Sequence, residues 1–68
     1  MITNEDIEKI VENIEKGWQD EMNESQSFID FKNYSPFDTL LRKKLEEKGI
    51  KAKLTYNFMG LTVDYIRE

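Results

Sequence analysis

The sequence predicts an α+β fold in which two helices pack on one face of a C-terminal antiparallel β-hairpin, in the order α-α-β-β. Apolar residues recur at spacings of three and four between Ile7 and Met22 and again between Phe37 and Leu45, the period of amphipathic helices. From Ile50 onward the period drops to two, as in strands with one buried face. A chain of 68 residues has room for a single small domain.

The first helix starts close to the first residue. Thr3 is an N-cap with Asp6 three positions on, and Ile2 and Ile7 stand at the positions of a hydrophobic staple. Ile7, Ile10, Val11, Ile14, Trp18 and Met22 form one stripe. Gly17 falls inside it, where a glycine costs roughly 1 kcal/mol relative to alanine. Either the helix stops there or it runs on to Met22 or Glu24, and the phase of Trp18 favours continuation. Asn23 to Ser27 is polar and turn-prone. Phe28 to Phe31 is open to three readings: a short third strand at the sheet edge over 28–31, a further helical turn, or an aromatic plug over the core.

The second helix is marked at both ends. Ser35 suits an N-cap and Pro36 the first helical position, while Asp38 sits in the first turn. Gly49 suits the left-handed residue that ends a helix, which makes Ile50 and Leu45 the apolar pair of a Schellman motif. Beyond it, Ile50, Ala52, Leu54, Tyr56 and Phe58 alternate with polar residues, as do Leu61, Val63 and Tyr65. A turn at Met59-Gly60 sets Phe58 opposite Leu61, Tyr56 opposite Val63, Leu54 opposite Tyr65, Thr55 opposite Asp64 and Lys51 opposite Glu68. A type I turn on Asn57 to Gly60 is the competing choice, since Met-Gly fits neither common two-residue turn. The expected core is Ile7, Ile10, Val11, Ile14, Trp18, Phe37, Leu41, Leu45, Leu54, Tyr56, Val63 and Tyr65.

The chain has neither cysteine nor histidine, which removes thiolate chemistry, the usual general base and the commonest metal ligands. No phosphate-cradling glycine loop or acidic calcium loop occurs. Asp20 with Glu24 is the obvious carboxylate pair, of a kind that on an exposed helix is ordinarily solvated charge. The sequence therefore points away from an enzyme and names no catalytic residue, cofactor or metal. No long apolar run or signal-like start is present, so a soluble, unprocessed, cytoplasmic protein without membrane partners is expected.

Charge is the remaining signal. The net charge is −4, but residues 1–30 carry nine acids against Lys9 and Lys16, a net −7, and residues 31–68 a net +3. Glu5, Glu8, Glu12 and Glu15 recur at three and four on the side of the first helix opposite the apolar stripe, and Asp20, Glu21 and Glu24 extend the negative field. The plainer reading is a solvated helix face. The functional one is a surface that binds a basic partner protein. A rival site is the basic cluster of Arg42, Lys43, Lys44, Lys48, Lys51 and Lys53, which would bind nucleic-acid phosphates, with Tyr34 or Tyr65 stacking on bases. Glu46 and Glu47 within that cluster and a pI of about 4.8 argue against it. A third reading is a homodimer that pairs the open hairpin edge.

Lys16-Gly17-Trp18-Gln19-Asp20-Glu21, followed by Glu24 and Phe28, resembles the helical acidic segment of a small phage-encoded anti-CRISPR protein that inhibits the type II nuclease. The resemblance covers residues 16–28, with Ser25, Gln26 and Ser27 in place of a denser acidic run and a different order of helices and strands. It implies a DNA mimic, an acidic surface that occupies a host enzyme's DNA site, with Glu21 and Glu24 matching acids there. The expected function is a non-enzymatic protein-binding module, an inhibitor or regulator of phage or mobile-element type.

Overall fold

The computed structural model describes residues 3–28 and 35–67 of the chain. Helix α1 spans Asn4–Gln19. It is closed at its start by a capping box: the Thr3 hydroxyl accepts from the Asp6 N–H at 3.2 Å, and the Asp6 carboxylate accepts from the Thr3 N–H at 2.9 Å. The staple expected from Ile2 lies outside the described residues. Gly17 is helical and buried, so the helix passes through it. It ends three residues short of Met22, with Asp20 as an extended C-cap. Met22, expected to close the apolar stripe, is 89% exposed in the turn that follows.

A short strand does join the hairpin, but it is β1, Ser25–Phe28, rather than 28–31. Only Phe28 of the expected segment belongs to it; residues 29–31 lie outside the described ones. The serines and Gln26 that read as a turn are strand because β3 supplies their ladder, a tertiary contact that outweighs local preference. Helix α2 follows at Ser35–Glu47. The side chains of Ser35 and Pro36 lie outside the described residues. Its end is the Schellman motif that the spacing predicts: the Gly49 N–H donates to Glu46 O and the Ile50 N–H to Leu45 O, both at 3.0 Å, with Gly49 at φ 72°. Leu45 and Ile50 are both buried.

Strands β2 (Ala52–Asn57) and β3 (Gly60–Tyr65) complete a three-stranded antiparallel sheet in the order β1-β3-β2. The hairpin register differs from the expected one. Tyr56 pairs with Leu61, Leu54 with Val63, Thr55 with Thr62 and Lys53 with Asp64. The loop is Phe58-Met59, and Asn57 fixes it: its side-chain oxygen accepts from the N–H groups of Met59 at 2.8 Å and Gly60 at 3.1 Å. Phe58 thereby leaves its expected place opposite Leu61 and stands 87% exposed at the tip. The shift is by two residues, so each side chain keeps its face. Lys51 aligns with Ile66, whose N–H donates to its carbonyl at 2.9 Å, and not with Glu68 as expected, because the same two-residue shift carries through.

Ser25, Ser27, Lys53, Thr55 and Asp64 face solvent on the outer side of the sheet. The inner side carries Leu54, Leu61, Val63 and Tyr65, which close a core with Ile7, Val11, Ile14, Leu41, Leu45 and Ile50. Ile10, Trp18, Phe37 and Tyr56, expected within the core, are half-buried at its rim. Among the described residues, no helix is long and apolar enough to cross a membrane.

Candidate functional site

The seven acids fall into two groups. Glu8, Glu12 and Glu15 lie beside the buried stripe of α1, on the flank toward α2, rather than opposite that stripe, and Glu5 is exposed one turn before Glu8. Glu8, Glu12 and Glu15 line one wall of a groove between the helices, with Val11 at its floor and Lys44, Glu47 and Lys48 on the other wall. Glu15 is tied across it to Lys48 at 3.3 Å, and Glu12 pairs along the helix with Lys16 at 3.5 Å. Among the described residues no cation lies within ion-pairing distance of Glu5 or Glu8. Asp20, Glu21 and Glu24 belong to the turn after α1. The Asp20 carboxylate accepts from the Met22 N–H at 3.1 Å, while the Glu24 carbonyl accepts from the Tyr65 N–H at 2.9 Å.

The residues of the basic cluster have different surroundings. Arg42 donates through Nε to Asp38 at 2.9 Å, and Lys48 is held by Glu15. Lys44 is half-buried in the interhelical groove. Lys43 is exposed on α2, Lys53 lies on the outer face of the sheet beside Asp64, and Lys51 sits in a separate groove with Trp18, Glu21, Ile66 and Arg67. Tyr34 lies outside the described residues, and the Tyr65 ring is buried against Trp18.

Two polar clusters escaped the sequence reading. In the first, the Asp38 carboxylate accepts from both the Tyr56 hydroxyl and Arg42, which links α2 to β2. Burial pushes the Asp38 carboxyl up, but those two hydrogen bonds and the Arg42 charge outweigh it and leave it below its ordinary value. Burial, then the hydrogen bond to Asp38 and its charge, raises the Tyr56 phenol far above its own.

The second cluster surrounds Arg67. Its guanidinium donates to the carbonyls of Gly17, Trp18, Asp20 and Asn23 at 2.9–3.1 Å, and lies 4.9 Å from the Trp18 ring centroid and 5.2 Å from that of Tyr65. The Tyr65 hydroxyl lies 2.8 Å from both Ile14 O and Gln26 Oε1, and its single proton is shared between these two acceptors. Burial pushes this phenol up as well, against the opposing Arg67 charge. Nothing in residues 17–24 announces an arginine some fifty positions away, since its acceptors are backbone carbonyls common to every residue type. The usable signal was Gly17, a glycine in phase with the buried stripe.

Compared with protein-family models, curated proteins and solved structures, the chain finds no match. Among the described residues, no three acidic side chains converge to hold a metal ion.

Proposed function

We propose that the domain is a non-enzymatic protein-binding module, an inhibitor or regulator of the phage or mobile-element type, working in the cytoplasm as an anti-CRISPR-like DNA mimic. Its acidic α1 flank engages the basic, nucleic-acid-binding surface of a partner protein. The observation that carries this reading is the exposed row of Glu5, Glu8 and Glu12 on a capped helix, where the local ion pairs neutralise only part of the charge. A row of carboxylates held on a rigid rod presents fixed negative charge, as a nucleic-acid backbone does. Association is steered by long-range attraction and weakens as salt shortens its reach to below about 10 Å. The nucleic-acid-binding alternative draws less support, because Arg42 and Lys48 are already engaged by Asp38 and Glu15.

The test is capture from a nuclease-treated bacterial lysate, read by mass spectrometry. Wild type is compared with the reversal of Glu5, Glu8 and Glu12 to lysine, which spares the Glu15–Lys48 pair. Wild type captures a nucleic-acid-binding protein, duplex DNA displaces it, and the reversed variant, folded by circular dichroism, does not retain it. Capture that survives the reversal overturns the reading. A second copy pairing along the outer edge of β2, the homodimer reading, would make the module bivalent. Light scattering decides that point, since a monomer mass at every concentration excludes the dimer.

A further inference from the structure

We propose that the C-terminal end of α1 is a guanidinium-recognition site, filled in cis by Arg67 and able to take the arginine of a partner protein in its place. The trans half of this statement rests on the protein-binding reading; the recognition site itself does not.

The geometry is that of a receptor for a planar cation. All three guanidinium nitrogens are received by carbonyls: Nε by Asn23 at 3.1 Å, Nη1 by Trp18 at 3.1 Å, and Nη2 by Gly17, Asp20 and Asn23 at 3.1, 3.0 and 2.9 Å. These acceptors belong to the last turn of α1 and the turn beyond it, where the helix dipole is negative. The Trp18 and Tyr65 rings flank the cation within the range of about 6 Å over which ring faces attract positive charge. An ammonium donates from a single point and does not match acceptors fanned around a plane, so the site selects guanidinium over amine.

The cage is held by other parts of the fold. Tyr65 is fixed by its own hydroxyl bonds and Trp18 packs against the core, while the turn is closed by Asn23 N–H to Asp20 O at 2.9 Å. A site shaped before its ligand arrives loses little ordering entropy on binding. It is also reachable: the Nη2 bond to Asp20 lies on the exposed side, and a groove along Trp18, Glu21, Lys51 and Ile66 leads to it.

Arg67→Ala vacates the cage, and methylguanidinium chloride is the probe. At about ten times its dissociation constant it raises the variant's Tm by roughly 6–11 °C. Methylammonium chloride at equal ionic strength produces no such rise, nor does methylguanidinium with wild type, whose cage is full. If Arg67→Ala does not fold, recovery of helical circular dichroism with methylguanidinium alone is the supporting result, and Arg67→Gln, which keeps the stem, repeats the comparison. No response, or an equal response to methylammonium, overturns the site. N-acetylarginine amide tests the trans half: it shifts the Arg67→Ala variant where the lysine counterpart does not. A response to methylguanidinium without one to the arginine amide removes the trans exchange. Retained partner capture by the reversed Glu5, Glu8 and Glu12 variant beside a positive methylguanidinium response removes the acidic-face reading and leaves the site standing.

Discussion

Replacing Gly17 with alanine separates a helix-interior glycine that is merely tolerated from one that the packing requires. Gly17 has no positive φ, so backbone strain plays no part. In a solvated helix the change is stabilising by roughly 1 kcal/mol. Here the new Cβ would fall against the Tyr65 hydroxyl, 2.6 Å from Gln26 Oε1 and 2.7 Å from Asn23 Nδ2. Gln26 and Asn23 swing aside at little cost because these atoms end flexible chains. Tyr65 does not, since its ring is buried in the core and its hydroxyl is spent on Ile14 O and Gln26. Overpacking costs about 1–3 kcal/mol, and displacing a buried hydroxyl from its partners about 1–3 kcal/mol more. Against the propensity gain, the net is a loss of about 1–5 kcal/mol. Urea melts of Gly17→Ala, Tyr65→Phe and the double variant measure it, and the loss from Gly17→Ala shrinks by at least about 1 kcal/mol in the Tyr65→Phe background. A Gly17→Ala variant more stable than wild type, or effects that simply add, would refute the close-approach argument.

Three further outcomes follow from the fold. The Asp38 carboxyl sits below its ordinary value of 3.8, so its contribution is present above that pH and is lost as pH falls through the folded value; Asp38→Ala costs about 1–3 kcal/mol at neutral pH and flattens the acid limb of a pH–stability curve. The Tyr56 phenol is raised, so its neutral form is favoured in the fold. Its contribution is complete below about pH 10 and fades as pH rises toward the folded value, and Tyr56→Phe abolishes that alkaline limb. Gly49→Ala, with nothing within 4 Å of the added Cβ, tests backbone strain alone and lowers stability by about 1 kcal/mol in thermal melts, while Gly49→Asn loses less.

What was legible in the sequence was whatever depends on neighbours in the chain. Thr3 and Asp6 announce their capping box because both partners lie within one turn. Gly49, Ile50 and Leu45 announce the Schellman motif for the same reason. The faces of β2 and β3 were readable from a period of two, even though their register was not. The observed register lies two residues from the expected one, so every face is unchanged, and Asn57 settles it through backbone amides that carry no side-chain signature. β1 has no local signal because Ser25, Gln26 and Ser27 take their extended form from β3, 35–39 residues downstream. The end of α1 at Gln19 depends on distant chain in the same way, as the Asp20 N–H closes on Lys16 O but the carbonyls of Gly17 and Trp18 are satisfied by Arg67.

The acidic flank of α1 has a thermodynamic consequence that separates it from an incidental solvated face. Glu5, Glu8, Glu12 and Glu15 give three like-charge neighbours at three- and four-residue spacing, each destabilising a helix by about 0.2–0.5 kcal/mol. The exposed Glu12–Lys16 pair and the partly exposed Glu15–Lys48 pair offset part of this, each by under about 1 kcal/mol. Glu8 has neither compensation among the described residues and lies between two acids. Glu8→Gln therefore stabilises the isolated domain by a few tenths of a kcal/mol, read as a Tm rise of roughly 1–4 °C that disappears at high salt. The same substitution weakens partner capture. Opposite signs for folding and binding are what a charged contact surface maintained at the expense of stability requires. A Glu8→Gln variant that is less stable, or equally stable at every ionic strength, would mean that the row is not self-repelling and that its charge carries no such cost.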